Sequence, residues 1–227
     1  MSKIAIFYHV YQVGDWENIF IQQIDRMKKS GLFDAAEFIH IGVNGEYSLP
    51  VFPEKVKIVR NQEEQFEESP TLKSIFDFCK TNVDYNVLYI HTSGVSWSVD
   101  TSVELNRMFY VNKTLWRQYQ EYFVIDLWRA CNSLLKSYDC VGTEWKTDGW
   151  INAIHYLDVK HYSGNIWWAK SEYINKLQWD YTINSEFGRY ASEFLIGTGK
   201  PNHYSFYSSN RNLYYSPIYE DEYRLCV

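Results

Sequence analysis

Between Ile4 and His91 the chain alternates short apolar runs with segments of helical periodicity, which restricts the folds open to it. Helices are predicted from about Trp16 to Ser30 and from Ser69 to Thr81, where apolar residues recur every three or four positions. A β-α-β-β-α-β order with short apolar strands predicts an α/β fold, a mostly parallel central sheet with helices on both faces. The four predicted strands are Ile4–Val10, Phe38–Val43, Val56–Val59 and Asn86–His91.

The carboxyl ends of parallel strands are where such sheets bind ligands, which selects the loops 9–15, 42–46, 60–62 and 91–96. Asp15 could accept from ribose hydroxyls, or it could simply cap the helix that follows it. His91 could bind a diphosphate as a cation, together with its neighbouring hydroxyls, or a metal as a neutral imidazole; alternatively these residues could form a tight turn around a satisfied histidine. The candidate nucleotide-binding residues are Tyr8, His9, Val10, Asp15, Asn61, His91, Thr92, Ser93 and Gly94.

The net charge and the amino-acid composition limit the functions that are compatible with this chain. The net charge of −6 argues against a general nucleic-acid binder, which needs a basic stripe. The chain has 9 Trp, 20 Tyr and 13 Phe, and aromatic faces beside amides and hydroxyls suit sugar rings, although they also fill cores. We see no signal peptide and no transmembrane run, so we expect a cytoplasmic protein. The four cysteines show no metal-binding spacing and are expected to be reduced.

The second half is less regular, and we treat residues 1–227 as one domain with a nucleotide-binding half, 1–98, and an acceptor half, 99–227. A polar loop is expected around Asp148 and Gly149, and an irregular aromatic tail over 202–223. The remaining predicted elements are helices at 103–112 and 116–138 with a break near Phe123, strands at 140–143 and 161–168, and helices at 171–177 and 186–196.

The segment from Gly164 to Trp168 carries the least common pattern in the chain. Gly164 would let a substrate approach the backbone, and Asn165 offers a donor and an acceptor to sugar hydroxyls. By strand alternation one of Trp167 and Trp168 faces the core and the other could face a cleft, although both could be structural. We take Gly164, Asn165, Trp167 and Trp168 as candidate sugar- or acceptor-binding residues.

Glu193 is the candidate catalytic residue. On the predicted helix it shares a face with Glu186 and Arg189 and is flanked by apolar side chains. A partly buried carboxylate there could act as a general base, whereas the alternative is a salt bridge to Arg189 four residues back.

Taken together, these motifs resemble the GT-A fold glycosyltransferases, in particular a group of small enzymes from bacterial surface-polysaccharide clusters and large DNA viruses. The group carries "LYIHT.G", "YDCVG..W", "SGNFWWA.S.YI..L" and "A.EFWIG" in this order. The matching segments here are Leu88–Gly94, Tyr138–Trp145, Ser163–Leu177 and Ala191–Gly197.

The resemblance implies transfer of a sugar from a UDP- or GDP-sugar to a glycan or glycoprotein acceptor, with Glu193 deprotonating the acceptor hydroxyl. Related enzymes commonly hold Mn²⁺ or Mg²⁺ on an Asp-x-Asp after the fourth strand, but this chain has His91, Thr92 and Ser93 there. We therefore assign no metal ligands. The leaving group could be neutralised by Arg60, Lys170 or Arg211, or a metal could be held by Asp100 or His203.

Three rival functions remain open from the sequence. A lectin-like module would use the aromatic residues without catalysis. A degenerate transferase would have lost activity together with the Asp-x-Asp motif. A nucleotidyltransferase would need two metals held by carboxylates, and no suitable acidic cluster follows an early strand.

Overall fold

The computed structural model describes residues 2–61, 68–151, 154–179 and 187–224, and the side chains of Trp150, Ile151 and Arg189 are left undescribed. Gln62, Glu186 and Cys226 lie outside the described residues. The strands are β1 (Lys3–Tyr11), β2 (Phe38–Asn44), β3 (Val56–Arg60), β4 (Tyr85–His91), β5 (Cys140–Gly142), β6 (Trp145–Ile151), β7 (Ile154–Tyr162), β8 (Trp167–Lys170) and β9 (His203–Ser205).

All but the last of the helices lie between these strands in the chain. They are α1 (Trp16–Lys29), α2 (Leu32–Ala35), α3 (Ser69–Thr81), α4 (Glu104–Glu121), α5 (Trp128–Leu134), α6 (Ser171–Ile174), α7 (Ala191–Phe194) and α8 (Glu220–Arg224). Within the described ranges, no helix combines the length and the apolar character needed to cross a bilayer.

Seven strands form one central sheet in the order β3-β2-β1-β4-β8-β5-β9, and β6 and β7 form a separate antiparallel hairpin. Every pairing in the large sheet is parallel except those of β8, which runs antiparallel to both β4 and β5. The prediction of a mixed, mostly parallel α/β sheet is therefore confirmed. Strands from both halves of the chain contribute to it.

Strand β1 explains why the sheet must be covered on both sides. Ile6 and Tyr8 point into a cluster formed mainly with α1 and α5, whereas Ala5 and Phe7 point into a second cluster with α3 and α6. Successive residues of a strand face opposite sides, so a run that is apolar at every position is buried only between two helical layers.

The sequence-based boundaries are confirmed for the first half of the sheet and for helices α1 and α3. Gly31 has φ +78, a left-handed conformation that glycine adopts without steric cost, and it follows Ser30, the C-cap residue of α1. Cys79, Cys131 and Cys140 are free and buried, as expected for reduced thiols.

The predicted interruption between residues 112 and 116 is wrong, because α4 runs unbroken to Glu121. The break near Phe123 is confirmed as a π-helical segment, Tyr122–Asp126. The backbone N–H of Leu127 donates to the carbonyl of Tyr122, five residues earlier, at 3.1 Å. A π-turn widens the helix by one residue, which changes the direction of the side chains that follow it.

The expected polar loop at Asp148 and Gly149 is also wrong, since both lie in strand β6. Likewise, residues 161–168 are not one strand. Strand β7 ends at Tyr162, and the N–H of Asn165 donates to the Tyr162 carbonyl at 3.0 Å. Gly164 has φ +89 at the third position of this turn, where a type II turn favours glycine.

The last third of the chain is more broken than predicted. Helix α6 ends at Ile174 rather than Leu177, and the segment predicted as a helix over 186–196 is a 3₁₀ turn at Gly188–Tyr190, α7, and a second 3₁₀ turn at Leu195–Gly197. The tail is not wholly irregular, because His203–Ser205 adds the edge strand β9 beside β5.

Gly197 illustrates a motif residue with a packing role. A Cβ at this position would lie 1.8 Å from the backbone carbonyl oxygen of Lys160 in β7. We expect Gly197→Ala to lower the free energy of unfolding by about 3 kcal/mol, since backbone must move to admit the methyl group. Urea unfolding measures this loss. Gly188→Ala, where a Cβ meets nothing within 4 Å but φ is +53, tests backbone strain alone.

Candidate functional site

The sheet order places a crevice between β1 and β4. Strands β2 and β3 lie on one side of β1 and β4 lies on the other, so the order of strands reverses at β1. Open α/β sheets bind ligands outside the carboxyl ends of the strands at such a reversal. The two loops meet there: the N–H of Tyr11 donates to Thr92 Oγ1 at 3.0 Å, and the N–H of Asp15 donates to Ser98 Oγ at 2.7 Å.

A polar cluster lies beside this crevice, and we call it the strand-end cluster. Its centre is the carboxylate of Glu68, immediately before α3. Glu68 Oε2 accepts from Tyr89 Oη at 2.8 Å and from Asn165 Nδ2 at 2.6 Å, while Oε1 lies 3.4 Å from His91 Nδ1. The members of the cluster are His9, Glu68, Thr71, Tyr89, His91 and Asn165.

The electrostatics of the strand-end cluster follow from its burial. Burial alone would raise the pKa of the Glu68 carboxyl, but His91, His9 and the hydrogen bonds from Tyr89 and Asn165 outweigh it and lower that pKa. Burial lowers the pKa of His9 to about 4, with Glu68 acting in the opposite direction. His9 is therefore neutral at pH 7, and its Nδ1 lies 2.9 Å from Thr71 Oγ1.

This neutral, buried His9 makes stability depend on pH. Below pH 6.5 the unfolded chain binds a proton at His9, whereas the folded protein does not until about pH 4, so stability falls as pH falls through this window. Between pH 6.5 and pH 4 we expect the free energy of unfolding to fall by about 3 kcal/mol more in the wild type than in His9→Gln. Urea midpoints at each pH measure the difference, and equal slopes for both proteins would contradict it.

The backbone N–H and carbonyl of Gly164 connect the strand-end cluster to Glu193. His91 Nε2 donates to the Gly164 carbonyl at 2.9 Å, and the Gly164 N–H donates to Glu193 Oε1 at 2.6 Å. The turn that needs glycine thus presents both its backbone groups to titratable side chains. A Cβ on Gly164 would also lie 2.8 Å from Gln120 Oε1, so a larger residue would disturb this connection.

Glu193 lines an open groove of about 650 Å³ between the β6–β7 hairpin, α4 and the tail. Its walls combine the aromatic rings of Trp116, Tyr190 and Tyr214 with the amides of Asn210 and Asn212. Aromatic faces together with amides and charged groups are the surfaces that sugar rings and hydroxyls contact. The alternative partner for Glu193, the Arg189 side chain, lies outside the described side chains.

Glu144 fixes the tail as one wall of the groove. Its carboxylate accepts from the Ser209 N–H at 2.9 and 3.1 Å and from Tyr119 Oη at 3.1 Å, and Lys146 Nζ lies 3.0 Å away. Glu144 is fully buried and has φ +55, which is uncommon for a residue with a side chain. These contacts hold the tail residues at Ser209 against α4.

The predicted nucleotide-binding residues differ in burial and in the contacts that their side chains make. Tyr8 and Val10 are fully buried under α1, and Tyr8 donates to Gln23. Asp15 occupies the N-cap position of α1 but makes no capping hydrogen bond, since its carboxylate accepts from Tyr110 and Asn18. Asn61 donates to Asn44 Oδ1 at 2.7 Å, which joins the ends of β2 and β3.

The turn after β4 lies at the crevice, but its side chains are turned inward. Thr92 and Ser93 are buried, and the Ser93 carbonyl accepts from Arg117 at 2.9 Å. Gly94 has φ +90 and packs against Lys113. A ligand at this turn would meet the backbone more readily than the hydroxyls.

The two tryptophans alternate as predicted, but neither faces a cleft. Trp167 lies in the cluster with α3 and Trp168 in the cluster with α1, and both are at most 1% exposed. Trp168 Nε1 donates to the Val124 carbonyl, and Trp167 Nε1 donates to Asn165 Oδ1. The physical reason is that helices cover both faces of the sheet, so alternation leads to burial either way. Gly164 and Asn165 are buried beside Glu193 and Glu68.

The proposed cations do not gather at the crevice. Arg60 donates to the carbonyls of Gly45 and Tyr47, and Arg211 pairs with Glu222. Lys170 pairs with Asp139 at the opposite edge, because β8 is antiparallel and Lys170 lies beside Asn86 at the start of β4.

The residues after β4 do not fit Mn²⁺ or Mg²⁺. These cations prefer carboxylate oxygens, whereas Thr92 Oγ1 accepts from Tyr11 and His91 Nε2 donates to Gly164. Asp100 accepts from Ser102, and His203 stacks on Trp145. Across the described residues there is no group of three or more His, Cys, Asp or Glu side chains that could hold a metal ion.

Sequence reasoning missed Glu68 and one face of α4. That face carries polar side chains at helical spacing, and they are buried: Asn112, Lys113, Arg117, Gln120 and Glu121. Charged residues spaced four apart on a helix are most simply interpreted as a solvent-exposed face. The available signal was their position between aromatic residues, Phe109, Trp116, Tyr119 and Phe123, which mark this helix as buried.

No curated protein matches the chain. One family model does, over residues 17–194 of the 227, a range that includes the strand-end cluster apart from His9, the Gly164 turn, and α7 with Glu193. The chain therefore belongs to the family described as a domain of unknown function, DUF8361.

Proposed function

We propose that the protein is a glycosyltransferase of the GT-A type, which moves a sugar from a UDP- or GDP-sugar to a glycan or glycoprotein acceptor. The observation that carries the proposal is the position of Glu193. Its carboxylate lines a groove suited to sugars and is hydrogen-bonded to Gly164, whose carbonyl contacts His91 at the end of β4. The acceptor groove and the strand edge therefore adjoin through the backbone of one residue, Gly164.

In the proposed reaction the acceptor hydroxyl lies in the groove beside Glu193. The carboxylate removes its proton as the hydroxyl oxygen attacks the anomeric carbon of the donor. The bond from this carbon to the diphosphate oxygen breaks, and the nucleoside diphosphate leaves with the bonding electrons. The Gly164 N–H orients the carboxylate by donating to Oε1. Because the hydroxyl oxygen attacks opposite the departing diphosphate oxygen, the anomeric configuration is inverted.

A second candidate is a sugar-binding module without transferase activity. The burial of Tyr8, His9, Val10, Thr92 and Ser93 favours it, because these side chains offer little surface to a nucleotide. Such a module would use the aromatic groove alone and would have no need of the strand edge.

A panel of nucleotide sugars, free nucleoside diphosphates and free monosaccharides separates the two candidates. We expect UDP or GDP to raise the unfolding temperature, since a ligand at one hundred times its Kd adds about 2.7 kcal/mol of stability. We also expect slow release of free sugar from one nucleotide sugar, measured with Mn²⁺ and with EDTA. Binding of monosaccharides without binding of any nucleotide would overturn the transferase proposal.

A further inference from the structure

Lys113 is a buried lysine to which the proposed reaction assigns no role. It lies on α4 and is 8% exposed. Its stem packs against the turn after β4, where a Cβ on Gly94 would lie 3.0 Å from Lys113 Cβ. Its ammonium lies 3.8 Å from the ring centre of Trp116 and 5.2 Å from that of Tyr214, both of which line the groove. Lys113 therefore stands between the strand edge and the groove.

The ammonium of Lys113 has aromatic neighbours but no hydrogen-bonding partner. Among the described residues no oxygen forms a hydrogen bond or ion pair with it. Trp116 Nε1 and Gln120 Oε1, on the same side of α4, are also buried without hydrogen-bond partners. Buried polar atoms are costly without a partner, so two such atoms beside an unpaired ammonium on one helix face indicate a place for a polar ligand.

We propose that Lys113 binds a phosphate group of the sugar donor, between the Gly94 turn and the groove. This inference rests on the proposed function and adds the anion-binding residue to it. Gly94, with φ +90 and no side chain, lets a phosphate approach the backbone closely. A lysine ammonium is a compact point charge that commonly binds phosphate. When the anomeric bond breaks, negative charge grows on the leaving phosphate oxygen, and the adjacent ammonium balances it.

Arg117 has a supporting role in this arrangement. It is already paired with Glu121 at 3.3 Å and donates to the Ser93 carbonyl, so it positions the turn. Lys113, which packs against the same turn, has no ion pair among the described residues. Burial and Arg117 lower the pKa of Lys113 to about 8, whereas Glu193 and Glu68 act to raise it. Within the pH range of ordinary assays Lys113 thus changes from charged to neutral.

Calorimetric titration with pyrophosphate and with UDP or GDP tests the assignment. We expect Lys113→Met to bind pyrophosphate and UDP or GDP about 10- to 100-fold more weakly than the wild type, because it loses one charge-assisted hydrogen bond. We expect Lys80→Met, an exposed lysine on α3, to bind as the wild type does. A cooperative thermal unfolding transition of Lys113→Met without ligand, measured beside that of the wild type, shows that the variant is folded.

The pH dependence gives a second readout. Between pH 7 and 9 the wild type should lose pyrophosphate affinity relative to Lys113→Arg, whose guanidinium stays charged. Taking the ratio of the two proteins removes the titration of pyrophosphate itself. A ratio constant with pH, or a Lys113→Met affinity equal to the wild type, would overturn the inference.

The results separate this inference from the proposed function. If the wild type transfers sugar and Lys113→Met does so equally well, the phosphate assignment fails while the transferase proposal stands. If pyrophosphate binds through Lys113 but no nucleotide sugar turns over, the anion site stands and the transferase proposal fails.

Discussion

Glu193→Gln should lower kcat for sugar transfer by about 10²- to 10⁴-fold, the range that a positioned general base contributes. Glutamine keeps the shape of the side chain, and its amide oxygen can still accept from the Gly164 N–H, as Glu193 Oε1 does at 2.6 Å. It cannot take up the proton of the acceptor hydroxyl. The Kd of UDP or GDP should change less than about threefold, because the nucleotide is expected at the strand edge rather than at this carboxylate.

Asp148→Asn is the matched control for this experiment. Asp148 also lines the groove, and its carboxylate pairs with His155 at 2.7 Å rather than with the Gly164 turn. The same exchange of carboxylate for amide should therefore leave kcat within a few-fold of the wild type. Initial rates at saturating donor and acceptor give kcat for all three proteins. An unchanged kcat in Glu193→Gln would end its role as base and would favour a retaining mechanism.

The parts of the fold that could be predicted from the sequence are those set by local patterns. Ile4 to Val10 is apolar at every position except His9, which predicts a strand covered on both faces, and β1 has this environment. Ile19, Phe20, Ile24 and Met27 recur at helical spacing, and all four are buried in α1. In both elements the spacing of apolar residues identifies the faces that become buried. The prediction therefore requires no knowledge of distant residues.

The candidate site was harder to predict because its contacts join distant positions. Glu68 meets Asn165, which is 97 residues later, and Glu193 meets Gly164 through a backbone N–H that carries no sequence signal. The tail reaches Glu144 from Ser209, 65 residues away. The sequence named both Gly164 and Glu193 as candidate site residues, but it gave no means of finding Lys113, whose importance depends on burial.

A network of buried charges lies behind the candidate site, centred on Glu121 at the end of α4. Glu121 Oε1 accepts from Gln23 Nε2 at 2.7 Å and lies 3.3 Å from Arg117 Nε, while Oε2 accepts from Arg26 at 3.0 Å. The π-helical segment that follows lets Asp126 reach the same Arg26, at 2.7 Å, although it is five residues further on. In a regular α-helix residues five apart point in different directions.

Glu121→Ala should therefore lower the free energy of unfolding by about 3–5 kcal/mol, the cost of breaking one side of a buried ion pair. Arg117 and Glu121 are 3% and 4% exposed, so Arg117 would keep its charge without a counter-ion or water. Asp77→Ala, which breaks two exposed ion pairs on α3, should cost no more than about 1 kcal/mol. The double variant Arg117→Met with Glu121→Met should regain most of the loss, because it removes both buried charges. Guanidinium unfolding of the four proteins decides the matter, and a Glu121→Ala loss as small as that of Asp77→Ala would mean that water reaches Arg117.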